Sequence, residues 1–113
     1  MLDIIRKLHF SKIVESLEIM DMVDDQTVKM LKIKVFLKDK SQLFIHEMHT
    51  PSYQKYSYHW QAADGSLLSR WDNSPHHKEL PNYPYHLHQG NSLMPCYRVS
   101  IDDVLKVISE RNL

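Results

Sequence analysis

The chain has 113 residues, 42% of them apolar, which is enough for one hydrophobic core and too few for two. Fourteen basic and fourteen acidic side chains cancel to a formal net charge of zero, which disfavours a passive nucleic-acid coat, since that role relies on basic excess. Two glycines, Gly65 and Gly90, are too few for a phosphate-cradling loop, so nucleotide-dependent phosphoryl transfer is disfavoured and no cofactor is expected.

Residues 2–9 place Leu2, Ile5 and Leu8 at helical spacing and predict a short helix that needs packing to persist. Residues 12–23, rich in Ile, Val and Met, read as a first strand with imperfect alternation. Over 31–38 the pattern is clean: Leu31, Ile33, Val35 and Leu37 alternate with Lys32, Lys34, Phe36 and Lys38, the period of a half-buried strand. Asp39-Lys40-Ser41 turns the chain, residues 42–49 return as a strand, and Thr50-Pro51-Ser52 ends it.

A hairpin follows around Asp64-Gly65, a pair that favours a two-residue type I′ turn. That turn sets Ala63 opposite Ser66 and, counting outward, Trp60 opposite Ser69, His59 opposite Arg70, Tyr58 opposite Trp71 and Ser57 opposite Asp72. Alternation then puts Tyr58, Trp60 and Trp71 on a core face, with Ser57, His59, Arg70 and Asp72 on a polar one. Residues 73–95 contain four prolines and read as a long irregular connection, ordered by Tyr83 and Tyr85, with a short extended piece around Tyr85–His88. Ser100 and Asp103 form a near capping box for a final helix with Ile101, Val104, Leu105 and Ile108 on one stripe. The whole predicts a single α+β domain over 1–113: an antiparallel sheet of about five strands with a short N-terminal helix and a C-terminal helix packed on it.

A lone cysteine, Cys96, rules out an internal disulfide and suits a reducing compartment. The start Met1-Leu2-Asp3-Ile4-Ile5-Arg6 lacks the pattern of a signal peptide, and no apolar run reaches membrane-spanning length. A soluble cytoplasmic protein is the expectation.

Five of the eight histidines and both tryptophans fall between Tyr56 and His88. Imidazole moves protons near neutral pH, and RNA cleavage needs a base for the 2′-hydroxyl, an acid for the leaving 5′-oxygen and a cation for the phosphorane. His59, Arg70, Asp72, His76, His77, His86 and His88 supply these functions without a metal. The candidate acid and base are His76 or His77 with His86 or His88, while Arg70 stabilises the phosphorane and Asp72 orients a ring. Two other uses fit the same residues. His86 and His88 project from one side of an extended strand, and His76 (or His77 or Asp72) would complete a zinc site. Alternatively, Arg70 and Asp72 form an ordinary ion pair while the histidines cap turns. His9, His46 and His49 read as structural, and Cys96 as an inert thiol.

The segments Tyr58-His59-Trp60-Gln61, Arg70-Trp71-Asp72-Asn73-Ser74-Pro75-His76-His77 and Pro84-Tyr85-His86-Leu87-His88 resemble the signature of the TumE-like family, small prokaryotic proteins regarded as toxins of type II toxin–antitoxin systems. Where the family's last motif often carries a histidine and a lysine, this chain has Tyr85 and Leu87, so only His86 and His88 carry over. The resemblance implies a cytoplasmic toxin, a cognate helix-turn-helix DNA-binding antitoxin as partner, and ribonuclease activity on an RNA substrate, with no membrane role. A homodimer and a non-catalytic protein-binding module stay open as alternatives.

Overall fold

The computed structural model describes residues 2–111. Helix α1 (Leu2–Phe10) leads into seven strands: β1 (Val14–Asp24), β2 (Lys29–Leu37), β3 (Gln42–His49), β4 (Gln54–Gln61), β5 (Leu67–Asp72), β6 (His86–Gln89) and β7 (Ser92–Pro95). Helix α2 (Ile101–Arg111) closes the described chain. The strands form one antiparallel meander in chain order. The expected α+β class holds, but the sheet has seven strands and not about five. The two extra strands are only four residues each and lack aliphatic alternation. They exist because β6 pairs with β5, and Gly90, at φ 58°, lets the chain reverse into β7.

The broken alternation of β1 has a local cause. Register shifts at Glu15 and Met20 insert an extra residue opposite β2, and each such bulge switches which side chains face inward. Further along, β2 alternates as expected: Leu31, Ile33, Val35 and Leu37 are buried. They join Leu43, Ile45, Tyr58, Trp60 and Trp71 from β3 to β5, and Leu8, Ile101, Val104 and Ile108 from the helices cover this face. Polar atoms in the core are matched: Trp60 Nε1 donates to Ser41 Oγ at 2.9 Å and the Tyr58 hydroxyl to Glu47 Oε2 at 2.8 Å. At the start of α2 the expected capping box forms, with Ser100 N donating to Asp103 Oδ2 at 2.9 Å and Asp103 N to Ser100 Oγ at 3.3 Å.

The β4–β5 hairpin keeps the predicted pairs from Trp60 to Ser57 by a different route, but it is Ala62 and not Ala63 that faces Ser66. Its turn is one residue longer than type I′, with Ala62 N bonded to Ser66 O and Gly65 N to Ala62 O, both at 2.9 Å. Only Gly65 takes a positive φ, 89°, and the Asp64 carboxylate accepts from Ser66 N and Oγ. A register shift then leaves Leu68 as an extra residue, which restores Trp60 opposite Ser69, His59 opposite Arg70, Tyr58 opposite Trp71 and Ser57 opposite Asp72.

Candidate active site

Neither helix packs on the second face of the sheet, and there the registers align polar side chains in two neighbouring rows. One row runs Lys32, His46, Ser57, Asp72, His86 across β2 to β6; the next runs Lys34, Phe44, His59, Arg70, His88. Directly opposed residues share a face, so five strands deliver their charged and aromatic groups to one surface. The rows end in a cavity of about 400 Å³ formed with the segment after β5, a volume within the range of ordinary ligand sites.

That segment is tied down at both ends. Asn73 Nδ2 donates to Gln54 O at 2.7 Å and its Oδ1 accepts from Tyr56 N at 2.9 Å, so the side-chain amide continues the sheet pairing after β5 stops. Ser74 donates to Asp72 Oδ1 from its backbone N at 3.1 Å and from its hydroxyl at 2.6 Å. At the far end Tyr85 stacks on Tyr56 with ring centres 6.5 Å apart. The chain between them carries His77 back over β6.

His77, His86 and His88 converge there, with ring centres 5.0 Å apart for His77–His86, 5.9 Å for His77–His88 and 5.0 Å for His86–His88. His86 is 2% exposed and lies against the buried carboxylate of Asp72, with Nε2 to Oδ1 at 2.6 Å. Arg70 Nε bonds the other oxygen, Oδ2, at 3.1 Å, and Arg70 Nη1 sits 3.3 Å from His59 Nδ1. His86 Nδ1 lies 3.0 Å from the Pro84 carbonyl, which only accepts, so Nδ1 carries the hydrogen. Although Nε2 touches Asp72, the carboxylate lies off the direction a hydrogen bond requires. Among the described residues, Nε2 is the one buried side-chain polar atom left without such a bond. With Nδ1 committed as a donor, Nε2 is the ring nitrogen left to face the Asp72 carboxylate or to ligate a metal ion.

The remaining candidates sort by distance from this centre. His76 is exposed at the rim of the cavity, because consecutive side chains diverge, and it is His77 that meets the other two rings. Nitrogens of His77, His86 and His88 all lie within 4.8 Å of one another, so a metal-ligating trio would take His77 where the sequence suggested His76. His59 stands one position away on β4 and reaches the centre only through Arg70. The sequence passed over His46, which lines the same cavity from β3; its only signal was the register linking it to Ser57, which needs long-range pairing. His49 faces the other way and contacts Glu47, and burial raises the pKa of Cys96.

Burial raises the pKa of Asp72, but the two Ser74 hydrogen bonds, the charge of His86 and the Arg70 bond outweigh it and hold the carboxyl below its usual range. Burial is also the main cause lowering His88; the Asp72 carboxylate opposes it, and His86, His77 and Arg70 push it further down. His46 and His59 are likewise lowered, first by burial and then by nearby cations. All four groups bind protons more weakly when folded than when unfolded, so stability falls on acidification. The melting temperature should therefore drop as pH falls below about 6.5, the unperturbed imidazole value, and drop again as the carboxylates titrate. Replacing His46 and His59 by Gln should flatten the first decline in a calorimetric pH series; an unchanged slope would refute this attribution.

Among the described residues no helix is long and apolar enough to cross a membrane. A family model described as Toxin TumE matches residues 1–112. No curated protein and no solved structure matches the chain.

Proposed function

The chain belongs to the TumE toxin family, and from that premise we propose that it is a metal-independent ribonuclease toxin held in check by a cognate antitoxin. The observation that supports this reading is the meeting of three imidazoles with the Arg70–Asp72 pair in one cavity. His88, kept neutral by its surroundings, serves as the base that takes the proton of a ribose 2′-hydroxyl. The 2′-oxygen attacks the adjacent phosphorus, and the bond to the 5′-oxygen breaks. His77 gives that oxygen a proton, leaving a 2′,3′-cyclic phosphate and a 5′-hydroxyl. Arg70 stabilises the charge on the phosphorane, the electrostatic contribution that usually matters most. Asp72 is a positioning residue: its Oδ2 fixes the guanidinium while its Oδ1 lies against His86.

The purified protein should cleave single-stranded RNA in the presence of EDTA, and a 2′-deoxy substitution at the cut position should block cleavage. Intact RNA after incubation with a folded protein would overturn the proposal and favour a non-catalytic module, all the more if the protein still bound the small DNA-binding product of a neighbouring reading frame.

A zinc reading has its own support. A histidine whose Nδ1 is held by a backbone carbonyl presents Nε2 as metal ligands commonly do, and His86 does this with His77 and His88 within reach. Three histidines with water in the fourth position would suit a catalytic zinc. Cleavage lost in EDTA and restored by zinc would select this reading over acid–base catalysis by the same rings.

A further inference from the structure

We propose that the uncovered sheet face beside the histidine cavity is a track for single-stranded RNA, with Phe44 as a base-stacking platform and Lys32 and Lys34 as phosphate contacts. The choice of RNA as the occupant rests on the ribonuclease reading; the track itself rests on the two rows of side chains.

From β2 to β6 the rows cross four inter-strand steps of about 4.8 Å, roughly 19 Å in all. That leaves room for about four nucleotides, the low end of single-strand site sizes. A groove of about 480 Å³ lies along the middle of this span, lined by Lys32, Phe44, His46, His59 and Arg70. Phe44 is half-buried in its wall, with the His59 ring edge-on at 6.1 Å and Lys34 Nζ 5.7 Å from its centre. Aromatic rings beside cations on an open surface are what sequence-tolerant binding of single strands uses, bases stacking while phosphates pair with Lys or Arg.

The distribution of charge supports the same occupant. Lys7, Lys29 and Lys40 are each paired with carboxylates, whereas Lys32 and Lys34 have no carboxylate partner among the described residues. Glu18 and Asp21 stand opposite them on β1 without forming ion pairs, and they mark the outer edge where phosphate is repelled. At the inner end the row passes through His59 and Arg70 into the cavity. A strand lying on Phe44 thus leads its next phosphates toward the imidazoles. The chain is neutral overall, and on this face the carboxylates of Glu18 and Asp21 stand at the β1 edge while Asp72 is engaged by Arg70 at the inner end, which leaves Lys32 and Lys34, among the described residues, as the unpaired cations of the stretch between them.

The test uses a fluorescent 2′-O-methyl RNA of about ten nucleotides, long enough to fill a single-strand site, which cannot be cut because its 2′-oxygens are blocked. Anisotropy should show binding to the full chain. Phe44→Ala should weaken it about tenfold, the loss of one stacked base, while Phe44→Trp should keep it. Lys32→Gln combined with Lys34→Gln should reduce the slope of log affinity against log salt by about 1.4, the value for two single-strand phosphate contacts. Lys106→Gln, exposed on α2 on the far side of the sheet, should leave binding unchanged. Wild-type protein that ignores the oligomer, or binding insensitive to both the Phe44→Ala and the double lysine change, overturns the track. Binding that follows these substitutions in a protein that cuts no RNA keeps the track and ends the ribonuclease reading. Cleavage by a protein whose binding ignores them does the reverse.

Discussion

His77→Ala and His88→Ala should each lower RNA cleavage by about 10²- to 10⁴-fold, the usual contribution of a positioned acid or base, and each should remove growth arrest on induced expression. Both side chains are only partly buried, so neither loss should unfold the domain, and circular dichroism should match the wild type. Arg70→Ala should act with similar force through loss of charge on the phosphorane. Arg70→Lys should fail to rescue it, because Arg70 reaches Asp72 through Nε and His59 through Nη1 at once, a fork that an ammonium lacks. His76→Ala should have little effect, given its exposed place at the rim. Growth arrest at wild-type strength in folded His77→Ala and Arg70→Ala variants would end the catalytic assignment.

Asp72→Ala should destabilise the fold by about 1–3 kcal/mol, the usual cost of leaving buried hydrogen-bonding groups without their partner. The side chains of Asp72 and His86 are 6% and 2% exposed. The same change strands both Ser74 donors and frees Arg70. Native domains are stable by only about 5–15 kcal/mol, so the urea midpoint should fall sharply. Asp72→Asn should lose less, since its amide oxygen still accepts from Ser74, and the difference between the two variants isolates the shape of the site from its charge. A midpoint for Asp72→Ala equal to that of the wild type would show that His86 and Arg70 do not depend on this carboxylate.

Much of the architecture was legible because local rules and tertiary demands agree. Strand β2 reads correctly since one face is buried and the other is not, and α2 reads correctly since its cap is encoded within four residues, Ser100 to Asp103. The β4–β5 register is the instructive case. The turn is one residue longer than the Asp64-Gly65 pair implies, yet every expected pair from Trp60 to Ser57 forms. Burial of Tyr58, Trp60 and Trp71 demands that register, and a bulge at Leu68 absorbs the extra turn residue. Strand β6 is legible only as a short extended piece around Tyr85–His88, and β7 is not legible at all, because neither carries an apolar period of its own and both form only because β5 offers an edge.

By itself, then, the sequence determined the residue chemistry: a neutral α+β chain, a hairpin with one polar face, and imidazoles in excess near an arginine and an aspartate. Which of those imidazoles meet was decided only by the folded chain. Asn73 and Tyr85 pin the proline-rich segment over β6, so His77 turns inward and His76 outward, and His46 arrives from a strand far away in sequence. Side-chain identity is a local property, whereas proximity depends on strand order and register, which are set by burying a whole sheet face at once.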